Sequence, residues 1–198
     1  MSEATQAGRP QGVRGAIRHP LIRYPLIGLA GLVVLLAFTG GFTDLIESTN
    51  TLEFCTSCHD MSYNFEEYKK TTHYLNKSGV RAVCSDCHVP KRGWFTEMRR
   101  KVIAARDVWE EVMGTIDTRE KFDAHRLEMA QREWARMRED DSPGCRNCHA
   151  FESMDTDAQD KQAAKKHLRM ISAEGQEKKT CIDCHRGIAH KIPRGGED

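Results

Sequence analysis

The sequence has no cysteine outside one repeated frame, no dominant basic patch and, beyond one segment, no long apolar run. A nucleic-acid binder concentrates basic charge on one surface. Here 30 Lys and Arg stand against 29 Asp and Glu, a formal charge of +1. Even that is composite, since residues 1–43 carry four Arg and one Glu, net +3, which leaves −2 for residues 44–198. Nucleic acid is thereby excluded as a partner. Strand-like alternation is scarce as well, and the roughly 155 residues after the apolar segment hold too few apolar runs to fill a core from side chains alone. No recognisable output domain follows, which argues against a sensory module. At 198 residues the chain has room for one domain plus an anchor.

The exception in hydropathy runs from Tyr24 to Thr43, 20 residues without a charge and rich in Leu, Val, Ile and Phe. About 20 apolar residues cross about 30 Å of hydrocarbon. Arg9, Arg14, Arg18 and Arg23 precede the run and Glu3 is the only acid before Asp44, so the basic flank is expected in the cytoplasm and the rest outside. A cleaved signal peptide would have an apolar core of only about 7–15 residues and a small-residue site to close it. Neither is present, and Gly28, Gly31, Gly40 and Gly41 suit lipid better than a soluble helix.

All eight cysteines fall in four frames: Cys55–Cys58–His59, Cys84–Cys87–His88, Cys145–Cys148–His149 and Cys181–Cys184–His185, each Cys-x-x-Cys-His. Two thiols one short turn apart can add to the two vinyl groups of one porphyrin, and the next histidine can reach the iron. Disulfides of an exported domain, or zinc held by paired cysteines, would not need a histidine directly after every second cysteine. The reading is four covalently attached haem c groups, and porphyrins would supply the interior that the side chains lack. The expected fold is mainly α with much irregular structure: one N-terminal transmembrane helix plus a small multihaem cytochrome c domain organised around four covalent haems. Its parts are a cytoplasmic tail (1–23), the anchor (24–43), a periplasmic tetrahaem domain (44–192) and a flexible tail (193–198).

Within the soluble part, helices are expected over Glu66–Leu75, Trp94–Met113 and Lys161–Ile171, with Gly175 ending the stretch that follows the last. In Trp94–Met113, Met98, Val102, Ala105, Trp109 and Val112 form one apolar stripe, accompanied by Arg99, Arg100, Lys101 and Arg106. That basic run is either a solvated face or a surface for anionic lipid headgroups or substrate. Gly114 stops this helix, and Asp117-Thr118-Arg119-Glu120 reads as a capping box with Asp117 as N-cap. The helix it opens carries a stripe of Leu127, Ala130, Trp134 and Met137. A six-coordinate haem also needs a second axial ligand, usually His or Met. His73, His125, His167 and His190 are available, while Met61, two residues after His59, competes for the first iron. If Met61 binds on the near side, the other side is left open for substrate.

The strings Ser78-Gly79-Val80-Arg81-Ala82, Cys87-His88-Val89-Pro90, Gly114-Thr115-Ile116-Asp117-Thr118, Lys121-Phe122 and Cys184-His185-Arg186-Gly187-Ile188-Ala189-His190 closely resemble the NapC/NirT family of membrane-anchored tetrahaem quinol dehydrogenases. The resemblance implies that membrane quinol is oxidised at the first haem and that electrons pass singly to a periplasmic acceptor. It matches Met61 to the methionine of the first haem and His73, His167 and His190 to the distal histidines of the others. The motif histidines His59, His88, His149 and His185 complete the candidate metal set, and His125 has no metal role. It further implies an acid for quinol binding, matched by Asp107, and a basic neighbour, matched by Arg100 or Lys101. Lys91 departs from the pattern, since some members carry histidine there. The implied setting is the bacterial inner membrane, with the quinol pool on one side of the reaction and a periplasmic redox partner on the other. The nitrate system, with a dihaem cytochrome and a molybdenum nitrate reductase, is the foremost candidate for that partner; nitrite and trimethylamine oxide reductases are alternatives. A different reading is a passive membrane-bound carrier reduced by another protein.

Overall fold

A computed structural model describes residues 20–89, 91, 93–172 and 179–197. The tail before residue 20 and the turn expected at Gly175 lie outside these. The chain divides into two compact units, residues 1–48 and 49–198.

The first unit is helix α1, Pro20–Ser48. Its 29 residues span about 43 Å at about 1.5 Å each, longer than the hydrocarbon core. Within Arg23–Ser48 an 18-residue stretch has a mean hydropathy of 2.1 and is unburied, so this helix is long and apolar enough to cross a membrane. It runs past the expected end at Thr43. The hydroxyls of Thr39 and Thr43 donate back to Leu35 O and Thr39 O at 2.9 and 2.8 Å, so these polar groups are satisfied within the helix.

The second unit is a set of mostly short helices, and the described residues contain no strand. They are α2 (Leu52–Cys55), α3 (Met61–Tyr68), α4 (Cys84–His88), α5 (Trp94–Val112), α6 (Arg119–Glu139), α7 (Pro143–Arg146), a 3₁₀ turn (Phe151–Ser153), α8 (Lys161–Ser172) and α9 (Cys181–Cys184). Only Tyr68, Ile116, Phe122 and Ile182 are buried hydrophobics among the described residues. That is far short of the core a domain of this size normally builds.

Three expectations are corrected, and the stripe on α5 is given its direction. The helix placed at Glu66–Leu75 is α3, which begins at Met61 and ends at Tyr68. The Tyr68 hydroxyl donates to the carbonyls of both His73 and Ala82, which draws residues 69–82 into a loop over the helix end. The N-cap of α6 is Thr118, whose hydroxyl accepts from Lys121 N–H, and not Asp117. Asp117 instead takes Lys121 Nζ at 2.7 Å. The apolar stripe of α5 does not face the domain: Val102, Trp109 and Val112 are exposed, while Arg100 and Asp107 pair with α6. Finally, the tail expected to be flexible packs on α6, since Gly196 is buried and a Cβ there would lie 2.9 Å from the Trp134 ring. The stripe on α6 at Leu127, Ala130, Trp134 and Met137 is half-buried, with Phe122 the fully buried residue of that helix.

The four Cys-x-x-Cys-His frames lie side by side. The Cys55 and Cys84 side chains are in contact, as are those of Cys145 and Cys181. Between the second and third frames the backbones themselves meet: a Cβ on Gly144 would lie 2.6 Å from Cys87 O and 2.8 Å from Cys87 Cα. Backbone atoms cannot rotate away, so Gly144→Ala is expected to lower the stability of the haem-loaded protein by about 1–3 kcal/mol, as overpacking does. Thermal unfolding measures this. An unshifted midpoint would mean that the second and third frames are not held in contact.

Candidate cofactor sites

The second and fourth frames are single helical turns, α4 and α9, while the first and third start in the last residues of α2 and α7 and continue as turns; the neighbouring sequence fixes this. In the second and fourth frames the residue before the second cysteine is an aspartate. Asp86 Oδ2 accepts from Val83 N–H and Asp183 Oδ2 from Thr180 N–H, both at 2.8 Å, so each acid closes its own turn from the inside. Lys91 and Arg138 neutralise these carboxylates at 2.6 and 2.5 Å. The third frame starts from Ser142, buried and left-handed at φ 49°, next to Asp141 at φ 62°. Two successive non-glycine residues in that region are strained. The Ser142 amide donates to Met137 O at 2.7 Å, and its hydroxyl accepts from Thr180 Oγ1 at 2.8 Å. One serine thus ends α6, opens the third frame and holds the fourth.

Three motif histidines face histidines from elsewhere in the chain. The ring centres of His73 and His149 are 6.2 Å apart, those of His88 and His190 6.2 Å, and those of His167 and His185 5.9 Å. The interplanar angles are 79°, 41° and 23°. His125 has no such partner; its Nδ1 is hydrogen-bonded to Lys121 O one turn back.

Polar groups surround these rings. His88 Nδ1 lies 2.9 Å from Glu133 Oε1, and Glu133 also takes Arg100 Nη2 at 2.9 Å and Arg136. Burial alone would raise the Glu133 pKa, but His88, Arg136 and Arg100 outweigh it and hold the carboxyl far below its usual range. His167 Nδ1 is 2.6 Å from Gln159 Oε1. Burial, with His88 nearby, lowers His190 to about 4, a ring that stays neutral. Its neighbour Lys191 is clamped at both ends: the amide donates to Glu67 Oε2 at 2.8 Å and the carbonyl accepts from Arg126 at 3.0 Å. Glu67 and Arg126 form a two-pronged ion pair between α3 and α6. One ring nitrogen each of His73 and His190 is buried with no hydrogen-bond partner.

The first frame differs. His59 has both ring nitrogens engaged, Nε2 with Asp117 O at 2.6 Å and Nδ1 with Glu111 Oε1 at 3.2 Å. The Asp117 carbonyl and then Glu111 raise its pKa against the loss of solvation. Met61 is half-buried at the start of α3, and between the two sits Asp60, buried, with Oδ1 unpartnered. Of the three residues matched to a quinol site, Arg100 and Asp107 share one face of α5 and act on each other electrostatically, while Lys101 is turned elsewhere. Lys101 donates to Thr49 Oγ1 and Asn50 Oδ1, at 2.6 and 2.7 Å, just before the first frame. Arg100 donates to His88 O at 2.8 Å, beside the second. Asp107 meets Arg132 at 3.1 Å; burial raises its pKa and Arg132 partly offsets this.

Glu133, Gln159, Glu67, Arg126 and Asp60 were not foreseen in the sequence. Only a known helix register would bring Glu133 opposite His88, and nothing in residue spacing announces the others.

The chain matches the profile of the NapC/NirT cytochrome c family, N-terminal region, over residues 21–195. It is 50% identical over 187 residues to the denitrification system component NirT of Stutzerimonas stutzeri, covering 93% of this chain and 90% of that one. Identity is 52% over 169 residues to the cytochrome c-type protein NapC of Escherichia coli K12, with 85% and 80% covered. A tetraheme cytochrome-c type protein of Allochromatium vinosum is 46% identical over 183 residues, 92% of this chain and 95% of that one. No solved structure matches. With four attachment frames, three facing histidine pairs and one membrane-length helix already on view, this chain belongs to the NapC/NirT cytochrome c family of haem c electron-transfer proteins of the inner membrane.

Proposed function

We propose that this protein is a quinol dehydrogenase that takes electrons from the membrane quinol pool and delivers them to a periplasmic reductase, foremost the dihaem cytochrome and molybdenum enzyme of nitrate reduction. The carrying observation is the order of the frames in space, first against second, second against third, third against fourth, which is an uninterrupted relay. Haem c supplies one-electron transfer at each frame. The positive flank before α1 supports a cytoplasmic N-terminus and a periplasmic haem domain.

The residues present fit haem. A metal held at about 2.0–2.1 Å by two imidazole nitrogens separates the ring centres by about 6 Å, and all three pairs are at 5.9–6.2 Å. In this reading Cys55 and Cys58, Cys84 and Cys87, Cys145 and Cys148, and Cys181 and Cys184 carry the four groups. His88 with His190, His149 with His73, and His185 with His167 hold the second, third and fourth irons. Glu133 and Gln159 fix the Nδ1–H tautomers of His88 and His167, which leaves Nε2 of each for metal. At the first frame both nitrogens of His59 are already bonded, which favours Met61 as its ligand.

Quinol oxidation releases two protons with its two electrons, and one proton needs a nearby acceptor. Asp107 is half-buried with a raised pKa, closer to a working base than a surface aspartate. Arg132 partly offsets that rise and orients the carboxylate.

Asp107→Asn is expected to slow quinol oxidation at least tenfold with four haems still attached, followed as haem absorbance with a quinol analogue. Unchanged rates would remove Asp107 from the reaction, and reduction by dithionite but never by quinol would make the protein a passive carrier. His167→Ala is expected to turn one low-spin haem of the four high-spin; an unaltered electron paramagnetic resonance spectrum would exclude it as a ligand. Glu133→Gln leaves Arg100 without its carboxylate and Arg136 with Asp140 alone, at a cost of roughly 3 kcal/mol. It should also raise the midpoint potential of one haem, measured by redox titration, because a neutral amide donates less electron density through His88.

A further inference from the structure

The outward face of α5 has no use in the relay. Phe95, Val102, Trp109 and Val112 are 82, 69, 63 and 71% exposed. At about 100° per residue these side chains, with Trp94 and Met98, fall within one arc of roughly 100°. The opposite face carries Arg100, Asp107 and Glu111, turned to α6 and to His59. The helix is thus amphipathic with its apolar side outward, the reverse of a helix on a soluble core.

Charge borders the stripe. By the same register Arg99 and Arg106 flank one edge and Lys101 the other. Arg106 pairs along the helix with Glu110 at 2.8 Å and reaches Glu128 at 3.8 Å. An apolar arc with indole rings near both ends and basic residues at its margins is the pattern of a helix lying in a membrane interface. The position along the chain agrees. Lys101 and Glu97 on α5 bond Thr49 and Asn50, the residues directly after the last turn of α1.

We infer that α5 lies in the headgroup region of the bilayer, with Trp94, Val102, Trp109 and Val112 among the upper acyl chains and Arg99 and Arg106 on anionic lipid phosphates. This is a second membrane attachment besides α1, and it does not depend on which substrate the haems oxidise. It holds the connection before the first frame flat against the lipid surface.

The test uses full-length, haem-loaded protein in nanodiscs of phosphatidylglycerol and phosphatidylethanolamine, doped with lipid bearing a photoactivatable diazirine in its acyl chain. Label is expected on peptides from residues 94–113 as well as on α1, and mass spectrometry maps it. Label confined to α1 would overturn the inference, as would crosslinks joining residues 94–113 of two copies in its place. The double variant Arg99→Glu with Arg106→Glu should cut the 94–113 label at least threefold while α1 labelling stays constant. Equal labelling of variant and native protein would overturn the role given to anionic headgroups.

Discussion

The approach of two imidazole rings to about 6 Å, made three times, is the constraint on which the soluble unit depends. Each approach joins a Cys-x-x-Cys-His frame to a histidine elsewhere in the chain; the closure of 167 to 185 is short, and the two long ones, 73 to 149 and 88 to 190, interlock. Closing long loops costs chain entropy that only a strong local gain offsets. Four buried hydrophobic side chains among the described residues cannot supply it. In the proposed reading, coordination at shared irons would do the work that a hydrophobic core does elsewhere, in keeping with short helices between the frames and irregular connections.

Charged groups in such a structure serve the histidines rather than the surface. Glu133 is anionic because three cationic or donor groups converge on it, and its other role is to hold His88. Glu67 and Arg126 grip the peptide of Lys191 from both sides, so His190 is presented by a backbone that cannot drift. Removing one partner from a half-buried pair leaves the other uncompensated, so these clusters are rigid out of proportion to their exposure.

Much of this was legible in the sequence. The eight cysteines and their histidines needed only spacing, and the anchor needed only a count of uncharged residues. The long helices α5 and α6 followed from their apolar period. What failed was direction. The stripe of Val102, Trp109 and Val112 was legible but its direction was not, because periodicity gives a face but not what covers it. The cap of α6 moved by one residue because Asp117 and Thr118 are both good caps, and Lys121 decided between them by engaging both. The end of α3 was missed because it is set by Tyr68 reaching Ala82 across a loop, a contact with no local signature. The distal histidines could be counted in sequence but not paired, since pairing is a property of the folded loops.

The contacts between cysteines of different frames bear on how the protein is made. In the folded chain Cys55 touches Cys84 and Cys145 touches Cys181, so each thiol has a neighbour from the wrong frame. Under oxidising conditions such neighbours would join into disulfides. A frame crosslinked to the next has no free thiol to give a vinyl group. Under those conditions compaction has to follow covalent attachment, and the chain must be kept open until all four porphyrins are in place.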